Sequence, residues 1–288
     1  REHGVEVRAA DINASDWDSS LEARADGSLA LRLGLRQIDG FRKDWAMAMT
    51  AARTGGGFVS VETLAHRAAL PQRALRLLAD ADAFRSIGID RRAALWEARR
   101  MPQDELPLFA AAGARELGDE PDAALPAMPL SEHVATDYQV TRLSLKAHPM
   151  QFLRPVFQRE GVLSCAQTAA ARNGARVRTA GVVLIRQRPG KGNAIFITLE
   201  DETGITNALL WARLFEAYRR PVMSARLMVV EGEVQKSREG VVHLMASRII
   251  DRSDELARLS EAAAMPVRSR SRGHPRNVRI LPGSRDFH

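Results

Sequence analysis

The sequence predicts an α+β chain of several domains, with a helical region first and a five-stranded β-barrel after it. Three observations predict this. The first hundred residues place apolar side chains at helical spacing, punctuated by glycines and cap residues. From Val177 onward apolar and polar residues alternate in strand-length runs. Between the two lies an acidic, proline-rich stretch that reads as a linker. The length, 288 residues, suits about two domains.

In the first region, Leu29, Leu31 and Leu33 alternate with Ala30, Arg32 and Gly34, a short strand signal. The run from Leu35 to Ala46 then places apolar residue, spacer, Gly40 and apolar residue ahead of a helix. That is the helix-hairpin-helix pattern. Backbone N–H groups of such a tight hairpin, and of the helix start after it, can accept a phosphate. Gly40, Arg42 and Lys43 are therefore candidate nucleic-acid contacts. An ordinary helix-turn-helix pack gives similar spacing, and Arg42 stands where a second hairpin glycine is usual. Trp45, Met49 and Ala52 are predicted to face a core. Ser60 is expected to cap the next helix, and Pro71 to open another whose buried stripe holds Leu75 and Leu78. Asp90 is expected to cap a helix running to Arg100, with Arg91 and Arg92 facing solvent or phosphate.

In the second region, Val177–Arg188 is a long strand candidate with a bulge or bend at Gly181. Ile195, Ile197 and Leu199 alternate with Phe196, Thr198 and Glu200, and Asp201–Gly204 is a turn. Ile205–Trp211 is a third strand. Leu214–Arg220 is a short helix ended by Pro221, and Leu227–Gln235 and Val241–Ile250 complete five strands. Five strands with a helix between the third and fourth is the order of an OB-fold, which binds single strands on its second and third strands. If Ile195, Ile197 and Leu199 point inward, Phe196 points outward, either as a base-stacking platform or packed on a neighbouring domain. Arg186, Arg188 and Lys191, in the loop before it, are candidate phosphate contacts. Trp211 is expected in the core.

The formal charge is +7. It is segregated: +2 over residues 1–100, −7 over 101–140 and +12 over 141–288. The basic C-terminal half suits a polyanionic partner, although arginine-rich composition also accompanies GC-rich genomes. Arginines among Ser, Gly and Pro beyond residue 266 read as a flexible basic tail. The single cysteine, Cys165, excludes an intramolecular disulfide framework. The seven histidines lack metal-ligand spacing, and no apolar run approaches a membrane span. With no secretory signal, a cytoplasmic protein with no membrane partner is expected. The pairs Asp16/Asp18 and Asp80/Asp82 lack a third carboxylate, and there is no phosphate loop or nucleophile elbow. The residues thus read as a nucleic-acid-binding portion with no catalytic residue, metal site or cofactor of its own. The chain opens at Arg1 within what reads as folded sequence, so a longer parent polypeptide is expected.

Specific segments carry a resemblance. Arg186-Gln187-Arg188-Pro189-Gly190-Lys191-Gly192, followed by Phe196 through Gly204, resembles the OB region of bacterial C-family DNA polymerases, related to the polymerase III alpha subunit, in their error-prone, damage-induced branch. His3–Arg8 and Asp11-Ile12-Asn13 resemble the end of the fingers region. Leu31–Arg36 with Ile38 and Gly40 resembles the hairpin entry. Leu143-Ser144-Leu145 with His148-Pro149-Met150 resembles the helix before the barrel, and Ser284–His288 the extreme C-terminus. Asp82 departs from the family pattern, which often has Gly there, as does Arg42. The resemblance implies a partition into the end of the fingers (1–28), tandem helix-hairpin-helix (29–100), linker (101–140), connecting helices (141–174), OB-fold (175–252), and short helix with basic tail (253–288). It implies a magnesium-dependent DNA-directed DNA polymerase of damage-induced mutagenesis and translesion synthesis, distinct from the main replicative enzyme. The palm carboxylates match no position here, so this chain alone is expected to be inactive. Its expected partners are primer-template duplex and single-stranded template, with accessory mutagenesis proteins.

Gln103-Asp104-Glu105-Leu106-Pro107-Leu108-Phe109 resembles the peptide by which polymerases dock on a sliding clamp. Gln103, Leu106, Leu108 and Phe109 would fill the polar notch and apolar pocket, or the same patch tacks the linker to the hairpin domain. A second reading of the whole is a free-standing single-stranded DNA-binding or recruitment protein without enzymatic activity.

Overall fold

The computed structural model describes residues 4–101, 127–189 and 192–261, and the chain divides into two compact units. Arg1–Pro129 with Val140–Leu145 form the first, Leu130–Gln139 with Lys146–His288 the second. Lys191, the clamp-like residues Gln103, Leu106, Leu108 and Phe109, and the basic tail lie outside the described residues.

The first unit begins with a three-stranded sheet: β1 (Val7–Arg8), β2 (Ser20–Ala23) and β3 (Leu29–Arg32), in the order β1-β3-β2. β1 runs parallel to β3, so residues assigned to the end of the fingers share a sheet with the hairpin entry. Four helices follow: α1 (Lys43–Arg53), α2 (Val61–Arg67), α3 (Gln72–Asp80) and α4 (Arg91–Arg100). The caps form where the sequence puts them. Ser60 accepts from Thr63 N–H at 3.0 Å and Asp90 from Ala93 N–H at 2.8 Å, satisfying donors the helix starts leave open. Met49, Leu75 and Leu78 are buried with Ile12, Leu35, Ile38 and Phe84 in one core. Asp11-Ile12-Asn13 acts as a splice. Asp11 accepts from Ser86 N–H, and Asn13 exchanges two hydrogen bonds with the backbone of Phe58. Arg91, expected at the surface, is fully buried.

The second unit contains α5 (Leu130–Val140), whose first ten residues it holds, so a helix occupies the end of the expected linker. α6 (Pro149–Arg159) and α7 (Cys165–Ala170) precede the barrel. The strands are β4 (Arg176–Gln187), β5 (Ala194–Asp201), β6 (Gly204–Trp211), β7 (Leu227–Lys236) and β8 (Val242–Asp251). They close in the order β4-β5-β6-β8-β7. Two short helices, α8 (Ala212–Ala217) and α9 (Arg219–Ser224), replace the single expected one. Pro221 lies in the first turn of α9, where its missing N–H costs little, rather than ending a helix. The expected bulge at Gly181 falls instead between Val183 and Ile185. Gly181 serves close approach: a Cβ there would stand 2.8 Å from Glu200 O. Ile195, Ile197, Leu199, Ala208, Leu210 and Leu244 fill the barrel. On its outer side, Ala180, Val182, Leu227 and Val229 pack against Met150, Leu153 and Phe157 of α6 and Leu256 and Leu259 of α10 (Asp254–Glu261). β4 and β7 are therefore apolar on both faces, and helices cover that side.

Candidate nucleic-acid interface

Alternation along β5 and β6 builds an outward row. Ile195, Ile197 and Leu199 are buried and inward, so Phe196, Thr198 and Glu200 face out. Ala208 and Leu210 are inward on β6, so Asn207, Leu209 and Trp211 face out. Phe196 stands opposite Leu209, and Trp211 lies one pleat farther along, opposite Ala194. Trp211 is thus not a core residue: it is 56% exposed. The Phe196 ring meets His243 of β8 edge-to-face, with centroids 6.0 Å apart. Thr198 Oγ1 donates to Asn207 Oδ1 at 2.9 Å, fixing the row's polar end. Sequence reasoning missed Trp211 and His243. The parity of Ala208 and Leu210 was the signal for Trp211; nothing local marked His243.

Of the cations expected beside this row, Arg188 is exposed and braces its loop by donating to Gly192 O at 3.1 Å. Arg186 is a correction. It still belongs to β4 and is buried, and its guanidinium donates to the carbonyls of Val222 and Ala225 at the end of α9. Those carbonyls lack helical partners, and Arg186 satisfies them instead of meeting a phosphate.

The β5–β6 turn is held from behind. Arg154 of α6 donates to Asp201 at 2.6 Å and to Glu202 at 2.6 and 2.9 Å. Asp201 also accepts from Cys165 N–H at 2.8 Å, and from Thr203 N–H and Oγ1 at 2.8 and 2.6 Å. Burial alone would raise the Asp201 pKa. The Thr203 and Cys165 hydrogen bonds, with the Arg154 charge, hold it below the ordinary carboxylate value. Burial pushes the Cys165 thiol up to about 12, so this cysteine is an inert packing residue.

In the first unit, Gly40 sits at the hairpin tip with φ +79°, a left-handed conformation that glycine adopts without strain. Arg42 caps α1 in extended backbone, so no second glycine is required there. Its guanidinium folds back on Asp44 at 2.7 and 3.0 Å and lies 5.3 Å from the Trp45 ring centroid. Lys43 is exposed and forms no ion pair among the described residues. At the second hairpin, Asp82 takes φ +58°, which accounts for the glycine usual at that position, and binds Arg85 at 2.9 Å. Its carboxylate occupies the left-handed position itself, whereas in the first hairpin the nearest carboxylate is on the preceding Asp39, paired with Arg142 at 3.2 Å. Asp16 is engaged by Arg53 and Asp18 by Arg36. Among the described residues, no three His, Cys, Asp or Glu side chains gather to hold a metal, and no helix is long and apolar enough to cross a membrane.

Comparison with known proteins agrees with this architecture. The helix-hairpin-helix motif family matches residues 4–94, and the OB-fold nucleic acid binding domain family matches residues 177–251. The whole chain is 50% identical to 29% of the error-prone DNA polymerase of Rhodopseudomonas palustris strain HaA2. It is 52% identical to 27% of the error-prone DNA polymerase of Brucella abortus biovar 1. The chain thus spans under a third of the length of these curated relatives. Asparaginyl-tRNA synthetase from Pyrococcus horikoshii aligns with 35% of this chain and 30% of its own, at 21% identity and a TM-score of 0.27, too low to support any argument. The chain is a helix-hairpin-helix region followed by an OB-fold barrel, and over its full length it is a relative of proteins named error-prone DNA polymerase.

Proposed function

We propose that this chain is the DNA-holding, C-terminal portion of an error-prone DNA polymerase acting in translesion synthesis and damage-induced mutagenesis. The hairpin unit grips duplex backbone, and the barrel holds single-stranded template. The outward aromatic row of Phe196 and Trp211, with His243 against Phe196, carries this reading. Bases of any sequence can stack on such rings. Arg188 and, outside the described residues, Lys191 would add phosphate contacts at one end. Nucleotidyl transfer and its magnesium belong, in this proposal, to palm carboxylates of the longer parent, a cytoplasmic enzyme. No step of that chemistry is assigned to the described residues. Contact with a sliding clamp through Gln103–Phe109, or with accessory mutagenesis proteins at sites left unassigned, extends the proposal on sequence pattern and resemblance alone.

Fluorescence anisotropy with a labelled single-stranded oligonucleotide and a labelled blunt duplex tests it. Both should bind, with affinities that fall as salt rises. Absence of single-strand binding at low salt would overturn the role of the barrel. Incubated with primer-template, magnesium and nucleotides, the chain should not extend the primer; extension would place the catalytic centre inside it.

A further inference from the structure

We propose that Arg73 of α3, rather than Arg42, is the arginine that completes the phosphate seat of the first hairpin. This rests on the reading that the hairpin unit grips duplex DNA. The hairpin tip lies against one face of α3. A Cβ at Gly40 would stand 3.9 Å from Leu77 Cδ1 and 4.0 Å from Arg73 Nη2. Arg73 and Leu77 are four residues apart on α3 and so share a helix face. Leu77, packed against the core, supports the tip, and Arg73 projects its guanidinium past it. Gly40 has no side chain of its own, and the space beside it is bordered by Leu77 and by the Arg73 guanidinium from another helix.

The state of the two arginines decides between them. Arg42 is committed twice, to the Asp44 carboxylate through two hydrogen bonds and to the Trp45 face. Asp44 takes two of the five Arg42 N–H donors, and the paired carboxylate offsets the Arg42 charge beside any incoming phosphate. Arg73 is exposed and makes no hydrogen bond or ion pair among the described residues. Its five donors are open to a phosphate oxygen, alone or in a fork. No carboxylate occupies the first turn of α3. A duplex phosphate at the tip would meet the Gly40 backbone, Lys43 and Arg73, beside an Asp39 carboxylate already paired with Arg142 at 3.2 Å; of the three, only Arg73 comes from outside the local sequence.

The test compares Arg73→Ala, Arg73→Lys and Arg42→Ala with the unaltered chain, by anisotropy on a blunt duplex over a salt series. Circular dichroism confirms folding, which these exposed substitutions should not disturb. Arg73→Ala should weaken duplex binding by about 10-fold, as loss of one charge-assisted contact does. It should also reduce the slope of log affinity against log salt by about 1. Arg73→Lys should keep the slope and recover part of the affinity, and Arg42→Ala should change affinity by less than about 2-fold. Unchanged affinity and slope in Arg73→Ala, with the unaltered chain binding duplex, would overturn the role of Arg73 and leave the duplex reading standing. An unaltered chain that binds no duplex would overturn both. A loss in Arg42→Ala equal to that in Arg73→Ala would overturn the preference for Arg73.

Discussion

In the barrel, the candidate surface follows from strand parity: once Ile195 and Ile197 are inside, Phe196 is outside, and the same count on β6 turns Trp211 outward. In the hairpin unit, the candidate seat follows from one left-handed residue and from charges on two separate helices. The first arrangement is periodic and apolar. The second is local, polar and assembled by packing. A stacking surface of this kind tolerates any base, whereas a phosphate seat depends on which cations are already taken. The two hairpins make the same point within one unit. Gly40 and Asp82 share a backbone conformation, yet at that position one has no side chain and the other carries a carboxylate tied to Arg85.

The largest effect expected is at the support behind the barrel face. Arg154→Ala leaves the Asp201 carboxylate, 0% exposed, without its cation. Removing one partner of a buried pair costs about 3–5 kcal/mol. Urea unfolding followed by circular dichroism in the β-sheet region should show that loss, and an unshifted midpoint would mean the pair does not hold α6 to the turn. Next come the aromatics. Phe196→Ala and Trp211→Ala should each weaken single-strand binding by about 1–3 kcal/mol. If Phe196→Ala has no effect in a folded protein, its ring packs on His243 and nothing else.

A smaller effect is expected at the hairpin tip. Gly40→Ala forces a side chain into left-handed backbone, at a cost of about 1–2 kcal/mol, although space for the methyl exists. Thermal unfolding measures it. Asp82→Gly relieves the same strain but gives up the Arg85 pair, so its change should be smaller than that of Gly40→Ala. The last prediction concerns pH. Asp201 is held below its ordinary value. Its stabilisation is therefore complete above about pH 4, the unfolded aspartate value, and is lost as pH falls through the lower folded value. Melting temperature followed between about pH 5 and pH 2 should fall less steeply in Asp201→Asn than in the unaltered protein.

The strands, the OB order and the helix caps were legible because period-two alternation and cap chemistry are local. Phe196 was legible for the same reason. Trp211 was misplaced by its size, which suggests burial, although its parity with Leu209 already put it outside. Arg186 was misplaced because its partners, Val222 and Ala225, lie 36 and 39 residues away, and a surface arginine and a buried one look alike in sequence. The glycine pattern at the hairpins was legible as a departure, but its meaning was conformational. Arg42 sits in extended backbone that any residue adopts, and Asp82 in the left-handed region that aspartate tolerates. Arg73 carried no local signal, because only packing brings α3 to Gly40.

The most direct test of the central claim is the double variant Phe196→Ala/Trp211→Ala, titrated in parallel against a single-stranded oligonucleotide and a blunt duplex. The aromatic row and the hairpin seat should be separable, so single-strand affinity should fall while duplex affinity stays at the unaltered value. Equal losses on both ligands, or none on either, would contradict the assignment of single strand to the barrel and duplex to the hairpin unit.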